Sequence, residues 1–302
     1  MQIKLRSYLI LFAFFLYLLE LLLKPGGNTQ ISFLIVVLIL FGVPHGALDL
    51  YIDQHLQKTD KKQHIFLLKY LANIILYATL WYFFPVVALV VFIIITAYHF
   101  GEIDWMGKTH LLIHKLVYSL LGFTWILFLL SKNVHFALDI FLAMGRSSLN
   151  KEFLITLANQ IYPYTLILLF IIYFFLFIFR SYFYSKSVYF YFSLIQTGLL
   201  ICFVLFMPLW ISFTFYFGFW HSLLSFDKIR INFETPNTFA GWAGLLSKAA
   251  PFSIMAWFGF AYITFLTMSS KDSAGIFTLL FISLSVLALP HLQVFTKLKL
   301  KE

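Results

Sequence analysis

Apolar runs near or above the length a helix needs to cross bilayer hydrocarbon, about 18 residues, recur from one end of this chain to the other. Hydrocarbon offers backbone groups no water, so a spanning chain must be helical or a closed barrel. Barrel strands alternate apolar and polar residues; these runs are continuous. The residues are 62% hydrophobic and only 11% charged, with a mean hydropathy of +0.92, far outside the range of soluble domains. The expected fold is all-α: a polytopic membrane helical bundle of about ten transmembrane helices (eight to ten), with residues 1–302 forming a single integral membrane domain.

The expected spans are 8–23, 31–51, 65–84, 86–105, 111–130, 153–179, 188–207, 209–226, 250–268 and 275–295. The range reaches down to eight because the first run is short and the second contains Pro44. Pro85 and Pro208 mark two tight turns, since the residue before a proline disfavours helix. Lys4 and Arg6 ahead of the first run resemble a secretory leader, but no small-residue cleavage site follows, so a retained first helix is expected. Two longer connections remain. Residues 131–152 contain a semi-apolar stretch, 134–144, that suits an interfacial helix, and residues 227–249 are polar and contain Thr235-Pro236-Asn237. The aromatic-rich stretch 164–192 reads as lipid-facing and packing side chains. Cys202 stands in an apolar run and, being the single cysteine, has no disulfide partner in the chain.

Charge tests the span count independently. With a cytoplasmic N-terminus, 16 of the 21 Lys and Arg residues fall on the inner side, and the other 5 (Lys24, Lys132, Arg146, Lys151, Lys271) fall outside. This is the positive-inside bias of an inner (plasma) membrane protein with both termini in the cytoplasm. It also explains the net charge of +9 without nucleic acid, since the basic residues are scattered singly.

Four histidines lie within these runs: Pro44-His45-Gly46-Ala47-Leu48-Asp49, Tyr98-His99-Phe100-Gly101-Glu102-Ile103-Asp104, Phe219-Trp220-His221-Ser222 and Leu289-Pro290-His291-Leu292. An ionisable residue inside a span is costly and marks function. All four spans run outward to inward, and the histidines lie 14, 13, 12 and 16 residues from their outer ends. At about 1.5 Å per residue that is one depth, roughly 18–24 Å from the outer surface. A single membrane histidine is commonly a structural hydrogen-bonding group; four in one layer point to a metal. Imidazole suits iron, zinc and copper, and metal-bound imidazoles use acceptors for their other N–H. Asp49 and Glu102 follow His45 and His99 by about one turn, and Asp104 lies further along, so these three are candidate supporting carboxylates. Gly42, Gly46 and Gly101 leave room for close approach of helices or substrate. His55, His64, His110, His114 and His135 fall in expected loops or helix ends and read as solvated residues.

The strings Phe41-Gly42-Val43-Pro44-His45-Gly46-Ala47-Leu48-Asp49, Tyr98-His99-Phe100-Gly101-Glu102-Ile103-Asp104 and Phe219-Trp220-His221-Ser222, with Pro290-His291 near the end, resemble the Brp/Blh family of membrane-bound β-carotene 15,15′-dioxygenases. The resemblance implies cleavage of the central double bond of β-carotene by O2 into two retinal, at Fe(2+) held by histidines. It carries His45, His99 and His221 over as iron ligands. Where that family often has a second histidine four residues after the first in its third motif, this chain has Ser225. Three readings of that departure stay open: His291 supplies the fourth imidazole, the iron keeps three histidines and open positions, or activity is altered or lost. The implied partners are β-carotene or a related carotenoid, O2, the lipid bilayer and a retinal-accepting protein.

Three other functions fit less well. A di-iron desaturase needs HxxHH boxes, which are absent from this sequence. A transporter or channel would use His, Asp and Glu as a proton or metal pathway, yet no internal repeat is evident. A retinal photoreceptor needs a lysine deep in a span, whereas Lys69, Lys115 and Lys248 stand at span ends.

The topology has a direct test in a Cys202→Ser background. Lys24→Cys should react with an impermeant maleimide in intact cells, and Lys186→Cys only after permeabilisation. The reverse pattern would invert the orientation.

Overall fold

The computed structural model describes residues 2–57, 63–135, 138–139, 142, 151–268 and 273–298, and its described elements are helices. In chain order they are α1 (Gln2–Leu23), α2 (Gly27–Val37), a π-helical segment (Leu38–Gly42), α3 (Val43–Gly46), α4 (Asp49–Gln57), α5 (Gln63–Phe83) and α6 (Pro85–Asp104). Then come α7 (Leu112–Lys132), α8 (Lys151–Ile178), α9 (Arg180–Phe183), α10 (Ser187–Phe206) and α11 (Leu209–Phe213). A second π-helical segment (Thr214–His221), α12 (Ser222–Asn232), α13 (Phe239–Met268) and α14 (Ser273–Phe295) complete the chain. Each expected span lies on helix, save short breaks such as the turn at Ala47–Leu48. Among the described residues, seven helical runs are long and apolar enough to cross a membrane, and Phe281–Phe295 is a shorter apolar helix. The chain is a helical membrane bundle.

Two expectations about connections change. The segment 227–249 is mostly helical, because α12 continues to Asn232 and α13 begins at Phe239. The reversal is confined to residues 233–238. Glu234 takes a positive φ of 54° there, and Arg230 Nη1 donates to the Thr235 carbonyl at 2.9 Å. The interfacial helix expected at 134–144 falls largely outside the described residues.

Backbone contacts divide the chain into two compact units. The first comprises residues 1–42, 97–133 and 159–227. In it α1 packs on α10 and on the 214–221 segment, and the two π-helical segments pack together. The inward stripe of α1 is Arg6, Leu9, Ala13 and Leu16, all under 9% exposed, at the spacing of one helix face. In α8 the buried face is Thr165, Leu169, Ile172, Tyr173 and Leu176, while Phe170 and Phe174 are exposed. Exposed phenyl rings on an apolar helix of spanning length suit a lipid-facing surface.

Where α6 and α7 meet, a Cβ on Gly101 would lie 1.9 Å from the Tyr118 carbonyl oxygen, and one on Gly122 would lie 2.0 Å from that of Ala97. These backbones touch, the close packing that small residues permit in membranes. The second unit comprises residues 43–96, 134–158 and 228–302. There α14 packs on α3, α4, α5 and α13, with a core of Tyr77, Trp81, Ala88 and Val286.

Contacts inside each unit agree with the alternation of spans. Lys132 Nζ donates to the Met207 carbonyl at 3.1 Å, joining two ends expected outside. Lys108 Nζ donates to the Ser181 carbonyl at 3.2 Å, and Lys297 lies 3.6 Å from Asp53, joining ends expected inside.

Because the α6–α7 contact leaves no room for a methyl group, Gly122→Ala should destabilise the detergent-solubilised protein by about 1–3 kcal/mol. Gly198→Ala, at a position with nothing within 4 Å, should be neutral or slightly stabilising. Equal thermal midpoints for the two variants would contradict the close contact.

Candidate metal centre

In the first unit, α6 carries His99 and the Thr214–His221 segment ends on His221. Both are buried, at 7% and 2% exposure, and their rings meet edge to face with centroids 4.7 Å apart. Aromatic rings surround the pair. Phe100 lies 4.5 Å from His221, Phe217 stacks on His221 at 5.8 Å, and Phe213 stacks on Phe217 at 5.5 Å. Phe213 and Phe217 are half-buried.

The local backbone is what sets His221. A π-helical turn is rare and is found often at functional sites, because an extra residue per turn re-aims the side chains that follow. Gly218 lets this segment pack closely on α2: a Cβ there would lie 2.3 Å from Val37 Cγ1. Asp104, at the end of α6, fastens the same segment to the His99 helix. Tyr216 donates to Asp104 Oδ2 at 2.6 Å and Trp220 Nε1 donates to Oδ1 at 2.8 Å.

In the second unit, His45 and His291 are each preceded by a proline, Pro44 on α3 and Pro290 in α14. Proline has no N–H and clashes with the carbonyl four residues before it. For Pro44 that residue is Leu40, within the first π-helical segment. The two rings, each 6% exposed, meet edge to face with centroids 5.1 Å apart. His291 Nδ1 and Asp49 Oδ1 are hydrogen-bonded at 2.8 Å, and the Tyr70 hydroxyl donates to Asp49 Oδ2 at 2.9 Å. A carboxylate opposite Nδ1 holds the proton there and leaves the ring lone pair on Nε2, the arrangement typical of a metal-bound imidazole. Gly46 faces the His291 ring, with a Cβ position 3.8 Å from Nδ1.

Each unit therefore brings together the two candidate histidines it contains. The supporting carboxylates divide. Asp49 contacts His291, on a different helix, and a turn at Ala47–Leu48 separates α3 from α4, so His45 and Asp49 do not share one regular helix as expected. Asp104 holds Tyr216 and Trp220. Glu102 is buried at 8% exposure on α6, one turn beyond His99. Ser225 is fully buried in α12, one turn beyond His221.

Of the histidines expected at the surface, His55, His64, His110 and His135 are exposed, but His114 is fully buried. The burial has a local cause. His114 Nδ1 accepts a hydrogen bond from the Leu111 backbone N–H at 3.4 Å at the start of α7, and the rings of Tyr182 and Phe183 cover it at 5.5 Å each. Sequence reasoning also missed Tyr70, one of 17 tyrosines, and both π-helical segments. Pro44 and Gly218 were the available signals for the latter.

No curated protein and no solved structure matches the chain significantly. The model of one family, described as Beta-carotene 15,15'-dioxygenase, matches residues 36–299. That range takes in both histidine pairs, and the chain belongs to this family of carotenoid dioxygenases.

Proposed function

We propose that the chain cleaves the central double bond of β-carotene, or of a close carotenoid relative, with O2 at ferrous iron held by His45, His99, His221 and His291. Family membership supports carotenoid cleavage. The observation that supports the metal reading is the pairing of buried histidine rings within each unit, His99 with His221 and His45 with His291, on apolar helices. Neutral imidazoles suit iron, and the Asp49 contact to His291 is the outer support such ligands use. With Ser225 in place of a second motif histidine, His291 is the fourth imidazole in this reading. A transporter or channel is not favoured, because the family match covers most of the chain.

The reaction breaks both bonds of one C=C and places one oxygen atom on each new aldehyde, so it needs no external reductant. Bound iron supplies the redox partner that lets O2 react with a closed-shell alkene. The chain's own side chains do the rest. The four histidines present ring nitrogens and add no negative charge. Asp49, held by Tyr70, fixes the His291 tautomer, and Asp104 fixes the 214–221 segment that carries His221. Phe100, Phe217 and Phe213 give an apolar, water-excluding approach along which a polyene can lie. Lipid delivers the substrate, since carotene partitions into hydrocarbon, and a retinal-accepting protein receives the product. The setting proposed is an inner plasma membrane with both termini cytoplasmic, supported by the distribution of Lys and Arg.

Expression in a host that accumulates β-carotene tests this directly. Retinal should form with the intact chain, while His45→Ala and His99→Ala, still inserted in the membrane, should form none and retain no iron. Normal cleavage in both variants would remove the ligand assignment. Carotene left intact by the unaltered chain would remove the substrate.

The aromatic approach has its own test. Phe217→Ala should raise KM for carotene about tenfold, the loss of roughly 1.4 kcal/mol of uniform substrate binding, and leave iron content unchanged. An unaltered KM would show that the polyene lies elsewhere.

A further inference from the structure

Arg6 lies on α1, ahead of the family-matched residues 36–299, and is fully buried. Its guanidinium joins three other elements of the first unit. Nη2 donates to the Ile103 carbonyl at 2.6 Å, and Nη1 donates to Gln196 Oε1 at 2.8 Å and to the Asp104 carbonyl at 3.4 Å. The group also lies over the Trp220 ring, 5.7 Å from its centroid. Trp220 in turn donates to the Asp104 carboxylate, as does Tyr216. The contacts close a loop: Arg6 to the carbonyl end of α6, the Asp104 side chain to the 214–221 segment, and Trp220 back under Arg6.

The ends of this loop are next to the candidate ligands. His99 precedes Asp104 by five residues on α6, and His221 directly follows Trp220. A buried charged network is weak evidence for stability, because its desolvation offsets its Coulombic gain, and an apolar replacement of equal volume often folds as well. Its distinctive property is geometry, since a planar guanidinium with a rigid fork of donors fixes its acceptors in direction as well as distance. A π-helical segment lacks the regular register of an α-helix, so contacts from outside must set its rotation relative to α6.

We infer that Arg6 and Asp104 are positioning residues for the His99–His221 pair, acting through Tyr216 and Trp220, so that α1 is a working part of the metal centre. This rests on the metal reading proposed above. Neither residue contacts the metal or the substrate in this assignment. The role of each is to hold the 214–221 segment and the end of α6 in the relative orientation that keeps two ring nitrogens aimed at one ion.

The test uses purified full-length protein, unaltered and as Tyr216→Phe, Asp104→Asn, Arg6→Lys and His99→Ala. The readouts are Fe(2+) affinity by equilibrium dialysis, the visible spectrum of the Co(2+)-substituted protein, and the thermal midpoint. Tyr216→Phe removes one hydrogen bond and little volume, so it should fold. It should nonetheless bind Fe(2+) about tenfold more weakly, as outer-shell changes do, with an altered Co(2+) spectrum. Arg6→Lys keeps the charge but loses the fork, and should follow the same pattern. Wild-type affinity and spectrum in Tyr216→Phe, Asp104→Asn and Arg6→Lys, with metal lost in His99→Ala, would overturn this inference alone. Fe(2+) binding that persists undiminished in His99→Ala would overturn the metal reading, and this inference with it.

Discussion

A polar group that enters bilayer hydrocarbon must find its partner inside the protein, because each one left unsatisfied costs several kcal/mol. The interior of this chain is organised by that rule. Arg6 meets backbone carbonyls and Gln196, Asp104 meets a tyrosine and a tryptophan, and Asp49 meets His291 and Tyr70. The Tyr118 hydroxyl donates to that of Tyr98 at 2.8 Å. The lipid-facing surface is left to side chains such as Phe170 and Phe258, 72% and 73% exposed. The polar groups are few enough that those gathered near histidines stand out as a site rather than as a surface.

The same rule decided what could be read from sequence. Helix was legible because continuous apolar runs admit one solution, and the ten expected spans lie almost wholly on helix. The candidate histidines were legible because imidazole at depth is expensive and therefore selected. That His99 pairs with His221, and His45 with His291, required knowing which helices touch, which hydropathy does not encode. His114 was misplaced for the opposite reason. A histidine at a helix end has water nearby as its default partner, and only the fold shows that Tyr182 and Phe183 take that place. A helix continuing past residue 226 was compatible with the Asp227/Arg230 spacing, but charged residues there read as solvated, and only the fold shows that Asp227, Lys228 and Arg230 are all buried.

The two π-helical segments connect backbone to chemistry. One ends just ahead of Pro44-His45 and the other ends on His221, so ordinary helical periodicity is broken next to two candidate ligands. A helix of regular pitch presents one face per 3.6 residues. A widened turn redirects the following side chain without ending the helix, which in hydrocarbon would expose unsatisfied carbonyls. The irregularity is tolerated because small or apolar neighbours, Gly218 against Val37 and Gly42 against Phe217, close around it. Asp104 and Trp220 supply the orientation that the lost pitch no longer does.

The most direct measurement on the central claim is X-ray absorption at the iron edge of the purified, iron-loaded protein. The result expected is a first shell of nitrogen with the outer-shell scattering of imidazole, diminished in His221→Ala and in His291→Ala. A shell of oxygen alone, or one unchanged by either substitution, would contradict a histidine-held iron in this membrane bundle.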